Sequence, residues 1–209
     1  MSNSARIILF SLLLGLICSA LLAGVNFLTG PSRKSNEQAE EVRNILSALS
    51  VPVASDASQQ QLVQIFGRDI KQKRVGELLL YEYAPASKGG KPEAYAVPFV
   101  GAGLWGPVSG VLALEPDMTT IRGVRFYKQE ETPGLGGEIS SDWFQKQFDG
   151  KRILSSEGKP GFSVLKPEAK AGPNAVDGIT GATMTSNRVE TMLTNVAQDI
   201  YKESPKNGR

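Results

Sequence analysis

The stretch "IILFSLLLGLICSALLAGV", residues 7–25, carries no charge over nineteen positions. As a helix rising ~1.5 Å per residue it reaches roughly 28 Å, close to the hydrocarbon thickness of a bilayer. A cleaved signal peptide has a shorter apolar core with a small-x-small site after it, and no convincing site of that kind follows here. A lipoprotein signal needs a small residue before its cysteine, whereas Ile17 precedes Cys18. Residues 1–30 therefore read as an uncleaved single-span anchor in a lipid bilayer, with Cys18 a small apolar packing residue inside it. Arg6 stands before the span, and Arg33, Lys34 and Arg43 follow it. Counted naively, that balance keeps the rest of the chain in the cytoplasm.

What remains suits one globular domain. The chain has no histidine and a single cysteine. Ser-His-Asp and Cys-His catalysis, histidine-containing metal sites and an internal disulfide are all excluded by that count. Demanding redox chemistry would require an organic cofactor. With a net charge of +2 and only short basic pairs such as Lys73-Arg74, nothing calls for nucleic acid.

After Pro31, "SNEQAEEVRNILSALS" predicts a juxtamembrane helix over residues 31–52 that lifts the domain off the bilayer. Ser35 and Gln38 fit a capping box, Ala39, Val42, Ile45, Leu46 and Leu49 form one face, and Pro52 ends it. From there to Arg74 the chain is polar and without a clear period. Strands follow in "ELLLYEY" and "AYAVPFV", then in "VSGVLALEP" and "TIRGVRFYK", joined by a turn with Pro116 at its second position. Gly110 and Gly123 within these strands predict bulges or close backbone approach. "SSDWFQKQFDG" reads as a short helix capped by Ser141 or Asp142, with Trp143, Phe144 and Phe148 as its apolar face. "GFSVLKP" reads as a further strand. Val189, Met192, Leu193, Val196, Ala197, Ile200 and Tyr201 predict a last helix over about Thr185 to Lys202. Residues 53–203 thus form an α+β domain with a mostly antiparallel sheet and flanking helices, followed by a disordered tail, 204–209.

Three runs carry chemistry. In "VDGITGATMTSNRVETML", a Gly- and Thr-rich loop enters the last helix, crowding Asp177, Thr180, Gly181, Ala182, Thr183 and Thr185 at its start. A helix N-terminus with unpaired N–H groups makes such a loop a phosphate cradle, and an elaborate helix cap is the plainer alternative. In "EETPGLGGEIS", Leu135 stands between glycines, either as a flat apolar wall for a ring system or as a core plug. In "GAGLWGPVSG", Trp105 either stacks on an aromatic ligand or covers the core edge. The adjacent Glu130 and Glu131 point to opposite faces of an extended segment, which argues against a paired-carboxylate hydrolase. The dinucleotide fingerprint G-x-G-x-x-G after a strand is missing.

Together "GLWGPVSGVLALEPD", "ETPGLGGEI" and "DGITGATMTSN", in that order after one N-terminal span, resemble the C-subunit family of sodium-translocating NADH:quinone oxidoreductases. The homologous G subunit of the Rnf complex shares the second and third motifs, while the "GLW" segment and "GGEISSDWFQKQFDGK" resemble the quinone reductase protein more. The chain is short for that family, and region 50–76 is where trimming is expected. The resemblance implies FMN bound through a phosphodiester to the Thr183 hydroxyl, made by a separate flavin transferase that draws on FAD. It implies a cofactor pocket that includes Gly178, Thr180, Gly181 and Ala182, with Asp177 orienting the loop or assisting the transferase. Glu131, Thr132, Gly134, Leu135 and Gly136 would lie beside the isoalloxazine, with Trp105 as a ring neighbour and Lys166 contacting phosphate or flavin. It further implies a domain on the outer side of a bacterial inner membrane, against the charge count. There it would relay electrons from iron-bearing membrane subunits to the covalent flavin of the B subunit and on towards quinone. The alternatives are an Rnf G-type protein and an anchored module that grips a phosphate-bearing ligand noncovalently.

Overall fold

The computed structural model describes residues 3–54, 56–167, 169 and 171–203, and the chain divides into two units, Met1–Glu40 and Glu41–Arg209. The expected disordered tail lies outside the described residues. Helix α1 runs Asn3–Ala48, and its most apolar 18-residue window has a mean hydropathy of 2.6 with none of it buried. That is long and apolar enough to cross a membrane.

The predicted second helix is not separate. Helix α1 continues through Pro31, so Ser35 lies inside it and does not cap it. Proline removes one hydrogen bond, that to the carbonyl four residues back, and cooperative propagation through the good helix formers that follow carries the helix past it. The end comes before Pro52. The Val51 N–H reaches the Leu46 carbonyl at 2.9 Å and the Ser50 N–H reaches that of Ser47 at 3.0 Å, with Ser50 at φ 56°. This is a Schellman ending with serine in the left-handed position that glycine prefers.

The stretch without a clear period holds α2, Gln59–Asp69, and β1, Ile70–Val75. A reciprocal capping box opens α2, with the Gln61 N–H donating to Ser58 Oγ and the Ser58 N–H donating to Gln61 Oε1 at 2.8 Å. Strands β2 (Leu78–Tyr83), β3 (Ala94–Ala102), β4 (Pro107–Leu114) and β5 (Ile121–Lys128) complete a five-stranded antiparallel sheet in sequential order. Alternation along the strands splits the core between its two faces. Val97, Phe99, Leu112, Leu114, Val124 and Phe126 belong to one cluster. Ala94, Ala96, Val111 and Ala113 belong to the other, with Ile45, Leu46 and Leu49 of α1 and its end and Leu62 of α2. The small residues on that face admit helix backbone. At Gly123 a side chain would fall 2.8 Å from the Ala48 carbonyl oxygen, the close approach that the glycine predicts. The register also shifts beside Gly110, as expected of a bulge.

Above the first face lies α3 (Asp142–Lys146); Ser141 stands at its N-cap position, but its hydroxyl donates back to the Glu138 carbonyl at 2.6 Å and does not cap the helix as predicted. Phe144 and Phe148 are buried against Phe126, at ring separations of 6.3 and 6.2 Å. Trp143 is half exposed, and its indole N–H donates to Glu138 Oε2 at 3.2 Å. It does not join the core because a helix this short turns only one stripe inward. Strands β6 (Ser163–Leu165) and β7 (Ala175–Asp177) form a small parallel pair, and α4 (Thr183–Glu203) closes the domain with Val189, Leu193, Val196 and Ile200 buried.

Two outcomes follow from these ends and turns. Replacing Ser50 with glycine relieves the left-handed strain and should raise unfolding free energy by about 1 kcal/mol, read as a higher denaturant midpoint of the detergent-purified protein. In the β4–β5 turn, the Met118 N–H donates to the Glu115 carbonyl at 2.9 Å. Asp117 accepts from the N–H groups of Thr119 and Thr120, both at 2.8 Å, and from Thr120 Oγ1 at 2.6 Å. Burial pushes this carboxyl up, but the hydrogen bonds from Thr120 and Thr119 outweigh it and hold the pKa at about 2. A depressed folded-state pKa stabilises fully above the unfolded value of ~3.9 and loses that contribution as pH falls towards about 2. The stability difference between wild type and Asp117→Asn should therefore shrink over that window in acid unfolding curves.

Candidate cofactor site

Helix α4 begins at Thr183, earlier than its apolar period predicts. The residue before it, Ala182, has no side-chain oxygen, so the hydroxyls of this loop do not cap the helix from the N-cap position. They are used elsewhere. Thr185 Oγ1 donates to Glu131 Oε2 at 2.5 Å, and Ser186 Oγ accepts the Ile179 N–H at 3.2 Å. Thr183 and Thr180 are exposed. The plain helix-cap reading therefore gives way. The first turn offers N–H groups without intrahelical partners and a partial positive charge, with the Thr183 hydroxyl beside them.

The loop that delivers Thr183 is set from behind. The Gly178 N–H donates to the Leu165 carbonyl at 2.7 Å, and a side chain at Gly178 would fall 2.6 Å from that same oxygen. Gln147 acts as a substitute strand: its Oε1 accepts the Asp177 N–H at 3.0 Å and its Nε2 donates to the Asp177 carbonyl at 3.2 Å. The Asp177 backbone is thus clamped, while its carboxyl Oδ1 is buried with no hydrogen-bond partner among the described residues. Sequence reasoning does not single out Gln147, because the contact joins segments thirty residues apart.

Glu131 joins the three motifs. It is 4% exposed, and its Oε1 accepts the N–H groups of Leu104 at 2.7 Å and Trp105 at 3.2 Å. Its Oε2 takes the Thr185 hydroxyl. Glu130 beside it is exposed, as opposite faces of an extended segment require. Close approach at this joint needs Gly136, where a Cβ would fall 2.5 Å from Thr185 Oγ1 and 2.8 Å from Glu131 Oε2. Across the opening, Leu135 Cδ2 lies 3.1 Å from where a Cβ of Gly181 would stand, and Gly181 takes φ 77°.

A cleft of 250 Å³ lies between these segments, walled by Leu104, Trp105, Leu135 and Met184, with Thr183 and Glu131 in its lining. Thr132, Gly136, Gly181, Ala182 and Thr185 complete it. Trp105 is 69% exposed and Leu135 43% exposed, so neither the core-edge nor the core-plug reading holds. Four exposed apolar side chains around one opening suit a flat apolar ligand. Leu104 and Met184 carry no signal of their own in the sequence, although each adjoins a residue that does. Gly134, at φ 72°, is exposed on the outer turn, Asp177, Gly178 and Thr180 stand in the loop behind, and Lys166 is exposed just after β6. None of these five lines the cleft. A larger groove of 470 Å³ between β3 and α4 contains none of the three motifs' site residues.

Residues 103–198 match the FMN-binding domain family. The chain is 27% identical to the C subunit of the Na(+)-translocating NADH-quinone reductase of Pasteurella multocida, across 87% of this chain and 85% of that one. The crystal structure of the C subunit of the Na(+)-translocating NADH-quinone reductase from Parabacteroides distasonis superposes with a TM-score of 0.67 at 31% identity, covering 82% of this chain and 94% of that one. Shewanella oneidensis NqrC shares the fold, with a TM-score of 0.68 at 23% identity over 82% of this chain and 97% of that one.

A methyl group at position 136 must push Thr185 and Glu131 apart. Gly136→Ala should cost about 1–3 kcal/mol, seen as a lower urea midpoint with an unchanged slope.

Proposed function

We propose, since the chain belongs to the C-subunit family of Na+-translocating NADH-quinone reductases, that it is a membrane-anchored electron-transfer protein carrying FMN on Thr183 through a phosphodiester. The observation that carries this reading is the exposed Thr183 hydroxyl in the first turn of an α4 whose cap residue is alanine, facing the cleft that all three motifs build. The residues present fit the group. The unpaired N–H groups of the first turn suit a phosphate anion, and Gly181 leaves room for it to approach. Leu104, Trp105, Leu135 and Met184 offer apolar faces to a ring system and keep water from it. Glu131 holds the walls in register.

When bound, FMN supplies the one-electron redox chemistry, and the protein supplies position and environment. On a flavin transferase, Thr183 Oγ1 would attack the FMN-side phosphorus of FAD, so that the phosphodiester forms as the pyrophosphate bond breaks and AMP leaves. Gln147 and Gly178 fix the loop that leads to the hydroxyl, and the exposed Thr180 and Lys166 are available to that enzyme or to the phosphate, while Asp177, clamped through its backbone with Oδ1 buried, orients the loop. In the complex, electrons would arrive from an iron centre in the partner membrane subunits and leave to the flavin of the B subunit. The flavin domain would stand on the outer side of the membrane, since large domains translocate largely regardless of flanking charge.

The test is the intact mass of the denatured protein from cells that co-express the transferase, followed by peptide mapping. A gain equal to FMN less one water, localised to Thr183, is expected. Thr183→Ala should lose that gain and quinone reduction by the complex while changing stability by less than about 0.5 kcal/mol, since the side chain is exposed. An unmodified wild type beside a demonstrably active transferase would overturn the covalent assignment and leave a noncovalent phosphate-ligand module.

A further inference from the structure

We propose that Glu131 is a tuning residue that lowers the reduction potential of the flavin held at Thr183, a step that rests on the covalent-flavin reading above. Among the described residues lining the cleft, Glu131 is the one with an ionisable side chain. Each polar contact that its carboxyl makes among the described residues is a donor pointed at it: two backbone N–H groups and one hydroxyl. That is the environment of an acceptor-only carboxylate, which carries negative charge. At 4% exposure little water screens that charge, so its field acts in a medium of low effective dielectric.

Adding an electron to a ring in this cleft places negative charge beside a fixed negative charge. The oxidised ring is favoured, and the potential falls. The three donors determine how much of that field remains. The Thr185 hydroxyl is the adjustable one, because it is a side chain and withdraws charge from the oxygen that it touches.

Two substitutions separate charge from scaffolding, since both disturb the same Glu131–Thr185 contact. Glu131→Gln keeps shape and an oxygen for the Leu104 and Trp105 N–H groups, turns an amide N–H towards Thr185, and removes the charge. Thr185→Val keeps the charge and removes the donor. A scaffolding role moves the potential the same way in both, whereas the electrostatic role moves it in opposite directions.

The experiment is a spectroelectrochemical titration of the full-length, transferase-matured protein, with covalent FMN first verified by mass. Glu131→Gln should raise the reduced-to-oxidised ratio at fixed poise about tenfold, ~59 mV for one electron. Thr185→Val should lower that ratio about threefold. An unchanged or lowered potential in Glu131→Gln, or a rise in both variants, overturns the proposal. If Glu131→Gln takes up no flavin, Thr185→Val decides alone: a fall supports the proposal, and no change or a rise overturns it. A wild type without FMN refutes the covalent-flavin reading instead, so the two failures are told apart before any titration begins.

Discussion

One buried carboxylate holds three distant segments of this domain in a single arrangement. The Gly103–Gly106 turn, the loop after β5 and the first turn of α4 share no secondary structure, and Glu131 joins them with three hydrogen bonds. Hydrogen bonds to a charged group contribute about 1.5–3 kcal/mol each, and orphaning a buried partner costs a similar amount. The cleft walls follow from that joint. Trp105 and Leu104 are carried by the turn whose N–H groups Glu131 accepts, Leu135 by the loop that Glu131 begins, and Thr183 and Met184 by the helix turn that Thr185 ties down. The glycines make it possible, because at position 136 any side chain would occupy the space of the hydrogen bond itself.

Behind the cleft, the sheet supplies rigidity of two different kinds. Its cleft-side face packs phenylalanines from β3, β5, α3, the loop after it and the residue before β6, with Phe126 meeting Phe99 edge to face at 5.7 Å and Phe148 stacking on Phe162 at 5.2 Å. Its other face includes Ala94, Ala96 and Ala113, and the end of α1 comes close to the sheet backbone at Gly123. Large rings brace the side that bears the loops, and small residues draw the helices in on the side that does not.

Much of this is legible in the sequence, and the reasons differ by element. Strands β2 to β5 announce themselves by alternation, and α4 by a 3.6-residue period that tertiary packing only has to reinforce. The three motif runs are visible because glycines in such density cost conformational entropy, and a chain that spends them needs the space they leave. Helix α2 escapes a periodicity reading although "SQQQ" is a capping box, since Gln-rich faces blur the apolar stripe. Proline misleads at position 31, where it marks no boundary inside what is one helix. Contacts such as Gln147 with Asp177, or Thr185 with Glu131, have no local signature. They depend on which loops the sheet brings together, and residue identity alone does not encode that.

The manner in which α1 ends has a practical consequence. Its last turns bury Ile45, Leu46 and Leu49 in the alanine-lined core, with the Ala48 carbonyl seated over Gly123. A water-soluble version of the domain cut just after the apolar stretch keeps this plug, whereas one trimmed to the first strand would open the sheet's inner face to solvent. The hydrophobic segment is dispensable to the domain's interior, but the final turns of the same helix are an integral part of it.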